Sequence, residues 1–266
     1  MKIFKSKHKL HKEILTDKNI SFVPTMGGLH KGHMSLIKKS KNFKGRVLVS
    51  IFVNPKQFNN ETDFKKYYRN VKADLKILGR LKVDYVYIPN KKEIFSFNTK
   101  NKIFMDKFSK KLCGSFRKGH FEGVLDVVNR FLEIIKPKFI FLGIKDFQQL
   151  YLIKRHILKR KIQTKVIACK TIREKNGVAC STRNKNLNHK QLKIASKVHK
   201  YLSKIKNTSF KKSTIIKNDL INFGVDKIDY IECYNLKTLK KSKIVNKKYK
   251  IFIAYYLNNI RLIDNI

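Results

Sequence analysis

The sequence predicts an α/β fold: a parallel sheet covered on both faces by helices, followed by a smaller α+β unit. Three observations predict it. Short apolar runs alternate with amphipathic stretches through the first two thirds of the 266 residues, the pattern of strands joined by crossover helices. Glycine- and asparagine-bearing turns punctuate that alternation, most visibly within Pro24-Thr25-Met26-Gly27-Gly28-Leu29-His30-Lys31-Gly32-His33. After about residue 171 the pattern changes to two helices and strands of hairpin type.

Taken in order, Ile20 to Val23 reads as a strand, Met26 to His33 as a glycine-rich turn and Met34 to Lys41 as a helix. Arg46 to Val53 is a β-branched run, hence a buried strand. Asp63 is placed to cap a helix from Phe64 to Leu81, with Tyr67, Val71, Leu75 and Leu78 on one face. Asp84 to Pro89 is a short strand. The basic stretch Lys91 to Lys111 has room for a hairpin. Gly123 to Lys136 carries Val124, Val127, Val128, Phe131 and Ile135 at helical spacing, and Pro137 ends it. Lys138 to Leu142 reads as a strand, Phe147 to Arg160 as a helix and Thr164 to Ala168 as a strand. In the last part, Asn188 to Lys206 and Ser213 to Phe223 are helical. Ile228 to Tyr234 and Lys250 to Leu257 are strands, and Asn258-Asn259 turns the chain back into Ile260 to Ile263. The expected division is a domain over 1–171 and a smaller one over 172–266.

A hydrophobic fraction of 42% is enough for real cores. No apolar run approaches the roughly 20 residues of a membrane span, and the basic N-terminus lacks the apolar stretch of a signal peptide. Cys113, Cys169, Cys180 and Cys233 show no C-x-x-C spacing, which fits reduced thiols and a cytoplasmic enzyme. The net charge of +44 would ordinarily point to a polyanion. The lysines, however, are spread through nearly every segment. Lys, Asn and Ile, all with A/T-rich codons, are abundant together. The charge is therefore expected to follow codon bias, with no specific nucleic-acid partner and no membrane.

The turn at 24–33 carries the chemistry. Glycines let backbone N–H groups approach a phosphate, and a helix N-terminus favours the negative charge. His30 and His33 sit at that same end. H-x-G-H thus suggests nucleotidyl transfer, in which charge on an α-phosphate is stabilised without a protein nucleophile; a plain turn with two surface histidines is the bland alternative. Four further blocks matter. Val49 to Phe58 ends a strand in Asn54-Pro55-Lys56-Gln57, whose amides suit hydroxyls or a carboxylate, or merely cap a loop. Arg117 to Val124 is a basic turn before a helix and a weak phosphate signal. Gly143-Ile144-Lys145-Asp146-Phe147-Gln148-Gln149-Leu150 offers a cation and amides, as does many a solvated helix start. In Arg173 to Asn184, Asn176-Gly177 marks a turn, and Ser181, Thr182 and Arg183 form either a phosphate clamp or an ordinary hairpin.

In this order, PTMGGLHKGH, VSIFVNPKQF, RKGHFEGV, GIKDFQQL and ACSTRN resemble the pantoate–β-alanine ligase family, within the H-x-G-H nucleotidyltransferase superfamily. The C-terminal Arg261-Leu262-Ile263-Asp264-Asn265 fits as well. The resemblance runs from about residue 20 to the end. It implies a Rossmann-like N-terminal domain, a C-terminal domain that closes over ATP, and a homodimer. It implies ATP-dependent joining of pantoate to β-alanine through pantoyl adenylate, with Mg2+ accompanying ATP and no identifiable protein ligands for the metal. On this resemblance ATP meets Met26, Gly27, Gly28, Leu29, His30, Lys31, Gly32 and His33, then Gly143, Ile144, Lys145 and Asp146, then Ile172, Cys180, Ser181, Thr182 and Arg183. His33, His30 and Lys145 would be catalytic. Gln57 and Gln149 would bind pantoate, and Gln57 also β-alanine.

Several positions depart from the family pattern. Ile144 replaces a glutamate, Thr182 a serine, Cys180 a Met or Leu, Lys118 and Tyr68 prolines, and Asp126 a threonine. Two rivals remain at this point: another H-x-G-H enzyme, such as a fragment of an aminoacyl-tRNA synthetase, and a nucleic-acid-binding module without catalysis. The first does not account for Asn54 to Gln57 or for Gln148-Gln149, and the second leaves the five blocks in order unexplained.

Overall fold

Parallel strands bury both faces, so they read as continuous β-branched or aromatic runs, and the first sheet is built from such runs. The computed structural model of the protein describes residues 1–17, 19–59, 61–205, 213–242 and 248–266. Up to residue 170 its elements are β1 (Lys2–Phe4), α1 (Lys7–Ile14), β2 (Ile20–Thr25), α2 (Lys31–Ser40), β3 (Arg46–Ile51), α3 (Glu61–Lys66), α4 (Val71–Arg80), β4 (Tyr85–Tyr87), α5 (Lys91–Phe95), α6 (Cys113–Phe116), α7 (His120–Ile135), β5 (Phe139–Gly143), α8 (Phe147–Lys159) and β6 (Lys165–Cys169). Then follow α9 (His189–Ile205), α10 (Ser213–Asn222), β7 (Lys227–Asn235), β8 (Tyr249–Leu257) and β9 (Ile260–Asn265). The chain forms two compact units. The first holds 1–109 and 117–170, the second 110–116 and 171–266. The sequence division at 171/172 differs from this in Thr171 and in the excursion 110–116, which belongs to the second unit.

In the first unit six strands run in the order β1-β4-β3-β2-β5-β6, and every adjacent pair is parallel. Alternate β2 residues serve opposite faces. Val23 joins Leu36, Ile37, Val49 and Leu78 in one buried cluster, while the Phe22 ring lies 5.5 Å from Phe131 of α7 on the other face. The chain steps from β2 toward β3 and β4 on one side and returns on the other as β5. That reversal makes a topological switch point, where ligands of such sheets bind beyond the strand ends. Here β2 and β5 register only at Ser21–Phe139 and Phe22–Ile140, although the strands continue to Thr25 and Gly143. Pro24, with no N–H to donate, lies past the last of those pairs. The two strands therefore part toward their carboxyl ends.

In the second unit β7-β8-β9 form an antiparallel sheet. Its core includes Val198 and Leu202 of α9, Ile216 and Leu220 of α10, and Ile231, Ile251 and Ile253 of the strands. The Asn258 backbone takes a left-handed φ of 52°, as a tight β8–β9 turn requires. Of the expected helix 188–206, the last residue lies outside the described residues.

Two expectations are corrected. The helix expected over 64–81 is two helices, because Asn70 accepts from the Ala73 amide at 2.9 Å and starts α4 afresh, while Arg69 Nη2 donates to the Phe64 carbonyl at 2.7 Å. Asp63 lies inside α3. Among the described residues, 91–111 contains no hairpin; it holds α5 and a 3-10 turn at Lys107–Lys110.

Candidate functional site

The turn after β2 is organised from below. Thr25 Oγ1 accepts from Gly27 N at 3.1 Å and donates to the Ser50 carbonyl at 2.6 Å. The Asp74 carboxylate of α4 accepts from Gly28 N and Leu29 N, both at 2.8 Å. Gly27 and Gly28 have φ of 77° and 62°, a region that glycine enters without strain. A Cβ on Gly27 would lie 2.8 Å from Asp74 Oδ2. Sequence reasoning gave the glycine amides to a phosphate. The structure instead commits the amides of 27, 28 and 29 to the protein itself, because the turn needs buried acceptors to hold its shape.

What the turn presents is imidazole. His30 caps α2, its Nδ1 accepting from Gly32 N at 3.1 Å. The His33 ring stacks against it, centroids 4.1 Å apart at 38°. His33 Nδ1 is buried without a hydrogen-bond partner. Burial holds the His33 pKa well below the ordinary 6.5, and the charges of His30 and Lys145 push it the same way. The imidazole is therefore neutral at pH 7. A neutral imidazole carries one ring N–H, which is available to donate.

Lys145 stands in the 3-10 turn Ile144–Asp146 that follows β5, its Nζ 3.4 Å from Asp146 Oδ1 and its side chain 17% exposed. The carboxylate that Ile144 fails to supply is thus present at the next position but one. Gly143 ends β5. In α8, Gln148 is buried and donates to the Phe108 carbonyl at 2.8 Å. Gln149 is half-buried, and among the described residues no hydrogen bond claims its amide.

Gln57 is buried in the 3-10 turn Pro55–Gln57. Its Nε2 lies 2.8 Å from Met26 Sδ, and its Oε1 accepts from Asn54 Nδ2 at 3.3 Å. Its carbonyl accepts from His120 Nδ1 at 2.7 Å and Arg117 Nη2 at 3.0 Å. Asn54 Nδ2 also donates to the Gly123 carbonyl at 2.9 Å, and a Cβ on Gly123 would overlap the Lys56 carbonyl. The block RKGHFEGV is therefore the buttress of the block VNPKQF, which corrects its weak phosphate signal. Asp126, where the family pattern has threonine, binds Lys56 Nζ at 2.9 Å and Arg130 Nε at 2.7 Å. Nothing in the structure explains Tyr68.

Ile172, Cys180, Ser181, Thr182 and Arg183 lie in the second unit. Ser181 caps a 3-10 turn over 182–186, accepting from Arg183 N at 3.3 Å. Thr182 is buried, and Cys180 Sγ lies 3.2 Å from Glu174 Oε1. Arg173 is committed to Asp264, at 2.6 and 3.0 Å, so the first arginine of this block is structural. All four cysteines are buried, and among the described residues none is in a disulfide. No helix among the described residues is long and apolar enough to cross a membrane.

Sequence reasoning missed Thr25 and Asp74. The signal for Asp74 was an acid four residues before Leu78, on the apolar face of α4, where a charge is out of place unless hydrogen bonds hold it.

Residues 2–266 match the family model described as pantoate-beta-alanine ligase. The chain is 39% identical over 265 residues to a pantothenate synthetase of Fervidobacterium nodosum, covering 97% of this chain and 95% of that protein. It is 39% identical over 258 residues to one from Flavobacterium psychrophilum, covering 94% and 92%. Among solved structures it resembles a pantoate-beta-alanine ligase from Francisella tularensis, complexed with beta-gamma ATP and beta-alanine. That match has 37% identity, a TM-score of 0.87, and coverage of 100% of this chain and 97% of that one. A pantothenate synthetase from Thermus thermophilus superposes with a TM-score of 0.92 at 27% identity, covering 100% and 99%.

Proposed function

The chain belongs to the pantoate-beta-alanine ligase family, and from that membership we propose that it condenses (R)-pantoate with β-alanine, giving pantothenate, AMP and diphosphate by way of a pantoyl adenylate. In the first step a pantoate carboxylate oxygen attacks the α-phosphorus of ATP, and the bond to the departing diphosphate breaks with its electron pair. In the second, the neutral amine of β-alanine attacks the acyl carbon, AMP leaves with the carbon–oxygen electron pair, and the extra amine proton passes to solvent.

The observation that carries this proposal is the pairing of His30 and His33 at the start of α2 within the field of Lys145. A neutral imidazole N–H and an ammonium donate to phosphate oxygens as charge builds on the α-phosphate, the preorganised stabilisation that acyl and nucleotidyl transfers need. The free amide of Gln149 and the buttressed amide of Gln57 suit a small hydroxy acid, and Gln57 β-alanine as well. Met26 to His33 and Gly143 to Asp146 would line ATP in the first unit. Ile172 and Cys180 to Arg183 would do so in the second, acting as a lid, with Ser181 and Arg183 nearest the phosphates. Among the described residues no group of three or more His, Cys, Asp or Glu is placed to hold a metal. On the family reading, magnesium enters with ATP as part of the substrate, liganded largely by phosphate oxygens. A cytoplasmic homodimer completes the proposal.

The test is AMP formation with each substrate omitted in turn, together with ATP–diphosphate exchange in the absence of β-alanine. Exchange that requires pantoate supports the adenylate. AMP release that requires both acids at once, with no exchange, refutes it.

A further inference from the structure

We propose that Asp74 is the positioning residue of the nucleotide turn. Its carboxylate acts through the backbone of Gly28 and Leu29 to fix where His30 and His33 meet the phosphates. Asp74 is 3% exposed and comes from α4, 46 residues beyond Gly28. Both of its oxygens are occupied by turn amides at 2.8 Å, and among the described residues it forms no ion pair. Such carboxylate–amide bonds are stronger and more directional than neutral ones.

Three features show that the turn is shaped around this group. Gly27 packs so tightly on it that a Cβ would lie 2.8 Å from Oδ2. Thr25 takes the preceding amide, so three consecutive N–H groups point into the protein. Asn70 opens α4 by accepting from Ala73 N at 2.9 Å, and its carbonyl takes the Asp74 amide at 3.0 Å, which fixes the carboxylate on the first turn of a helix. The turn is therefore a platform pinned from beneath, and it leads directly into the stacked pair of His30 and His33. Removal of the pin leaves two amides seeking partners, and the backbone that carries the histidines must move to satisfy them. A misplacement of about 1 Å is enough to cost about a hundredfold in rate.

The inference rests on the proposed nucleotide role, and the test separates the two. Asp74→Asn keeps the volume and one acceptor oxygen; Asp74→Ala keeps neither. Steady-state constants for ATP, pantoate and β-alanine are measured on wild type and both variants, with deuterium uptake of the segment 26–30 in the ligand-free proteins. The expected result is faster exchange of 26–30 in both variants. In addition, kcat/KM for ATP should fall about a hundredfold for Ala and about tenfold for Asn, which retains one of the two bonds, with the KM values of both acids within about twofold. Unchanged exchange and ATP constants in Asp74→Asn would overturn the proposal. So would a loss that only lowers the active fraction and leaves every KM alone. If Asp74→Ala does not fold, Asp74→Asn decides alone. Wild type that forms no pantoate-dependent AMP would refute the nucleotide reading, while the exchange measurement still reports on the pin.

Discussion

His120 donates from Nδ1 to the backbone carbonyl of Gln57 at 2.7 Å, across 63 residues of chain. Arg117 Nη1 faces the other ring nitrogen at 3.0 Å. Since guanidinium can only donate, Nε2 must accept and Nδ1 must carry the proton. The pair fixes the turn that carries the Gln57 amide, and it explains why two sequence blocks so far apart occur together.

His33→Ala should lower the adenylation rate by about 10²–10³, the effect of losing one preorganised transition-state donor, with the KM for pantoate little changed. Single-turnover AMP formation measures it. A variant that turns over normally would remove His33 from the chemistry.

The same histidine makes a pH prediction. Its folded pKa lies well below 6.5 because burial disfavours the cation. The ligand-free His33 ring should therefore remain neutral at pH 6, where an exposed histidine is mostly charged. Nitrogen-15 shifts of the imidazole would show this, and a titration midpoint near 6.5 would contradict it.

Gln149→Ala should weaken pantoate binding by roughly ten- to hundredfold, since a polar group left without its partner costs about 1–3 kcal/mol, while ATP binding stays near normal. Gln148→Ala should instead lower stability, because Gln148 is buried and holds the Phe108 carbonyl. Isothermal titration for the first variant and urea unfolding for the second separate these neighbours. Normal pantoate saturation in Gln149→Ala would contradict the assignment.

The strand–helix alternation of the first unit was legible because its buried strands, such as Val47 to Ile51, are apolar throughout apart from Ser50. The region 91–104 was not legible, because distant side chains hold its backbone. Arg130 donates to the Ile94 and Phe97 carbonyls, Glu133 accepts from the Lys100 and Asn101 amides, and His156 Nδ1 accepts from Phe104 N. Periodicity within the segment carries no trace of such partners. β1 escaped for another reason: it has three residues and is largely exposed. At the candidate site, the H-x-G-H spacing singled out the histidines, and the family resemblance singled out Lys145 and the glutamines. It misassigned the glycine amides, since Asp74, which claims two of the turn's N–H groups, lies far along the chain.

Stability should fall with acid through His156. This residue is fully buried, donates from Nε2 to Asn129 Oδ1 at 3.0 Å, and has its pKa lowered to about 4, chiefly by burial and then by Arg160. The unfolded chain takes up the proton near 6.5, so this contribution is whole above 6.5 and is lost progressively as pH falls toward about 4. The limit is about 3 kcal/mol. Urea midpoints at pH 7 and pH 5 should differ less in His156→Gln than in wild type. Equal slopes would show that His156 titrates freely.

The net charge of +44 supplies the last prediction. Lysines chosen by codon bias need not form a shaped surface, so they attract polyanions only through counterion release. That makes affinity fall steeply with salt, by about one log unit per log unit of salt for each phosphate neutralised on duplex nucleic acid. Binding to a structured RNA and to a random single strand should therefore be similar, clear at about 50 mM salt and lost by about 200 mM. It should also be indifferent to ATP, for which the turn at 26–33 is proposed, and to pantoate, for which Gln57 and Gln149 are proposed. Filter binding at the two salt concentrations, with and without substrates, measures all of this. Retention of one RNA over the other at the higher salt would mean that the basic surface was selected to recognise it. Competition by ATP would place that recognition over His30 and His33.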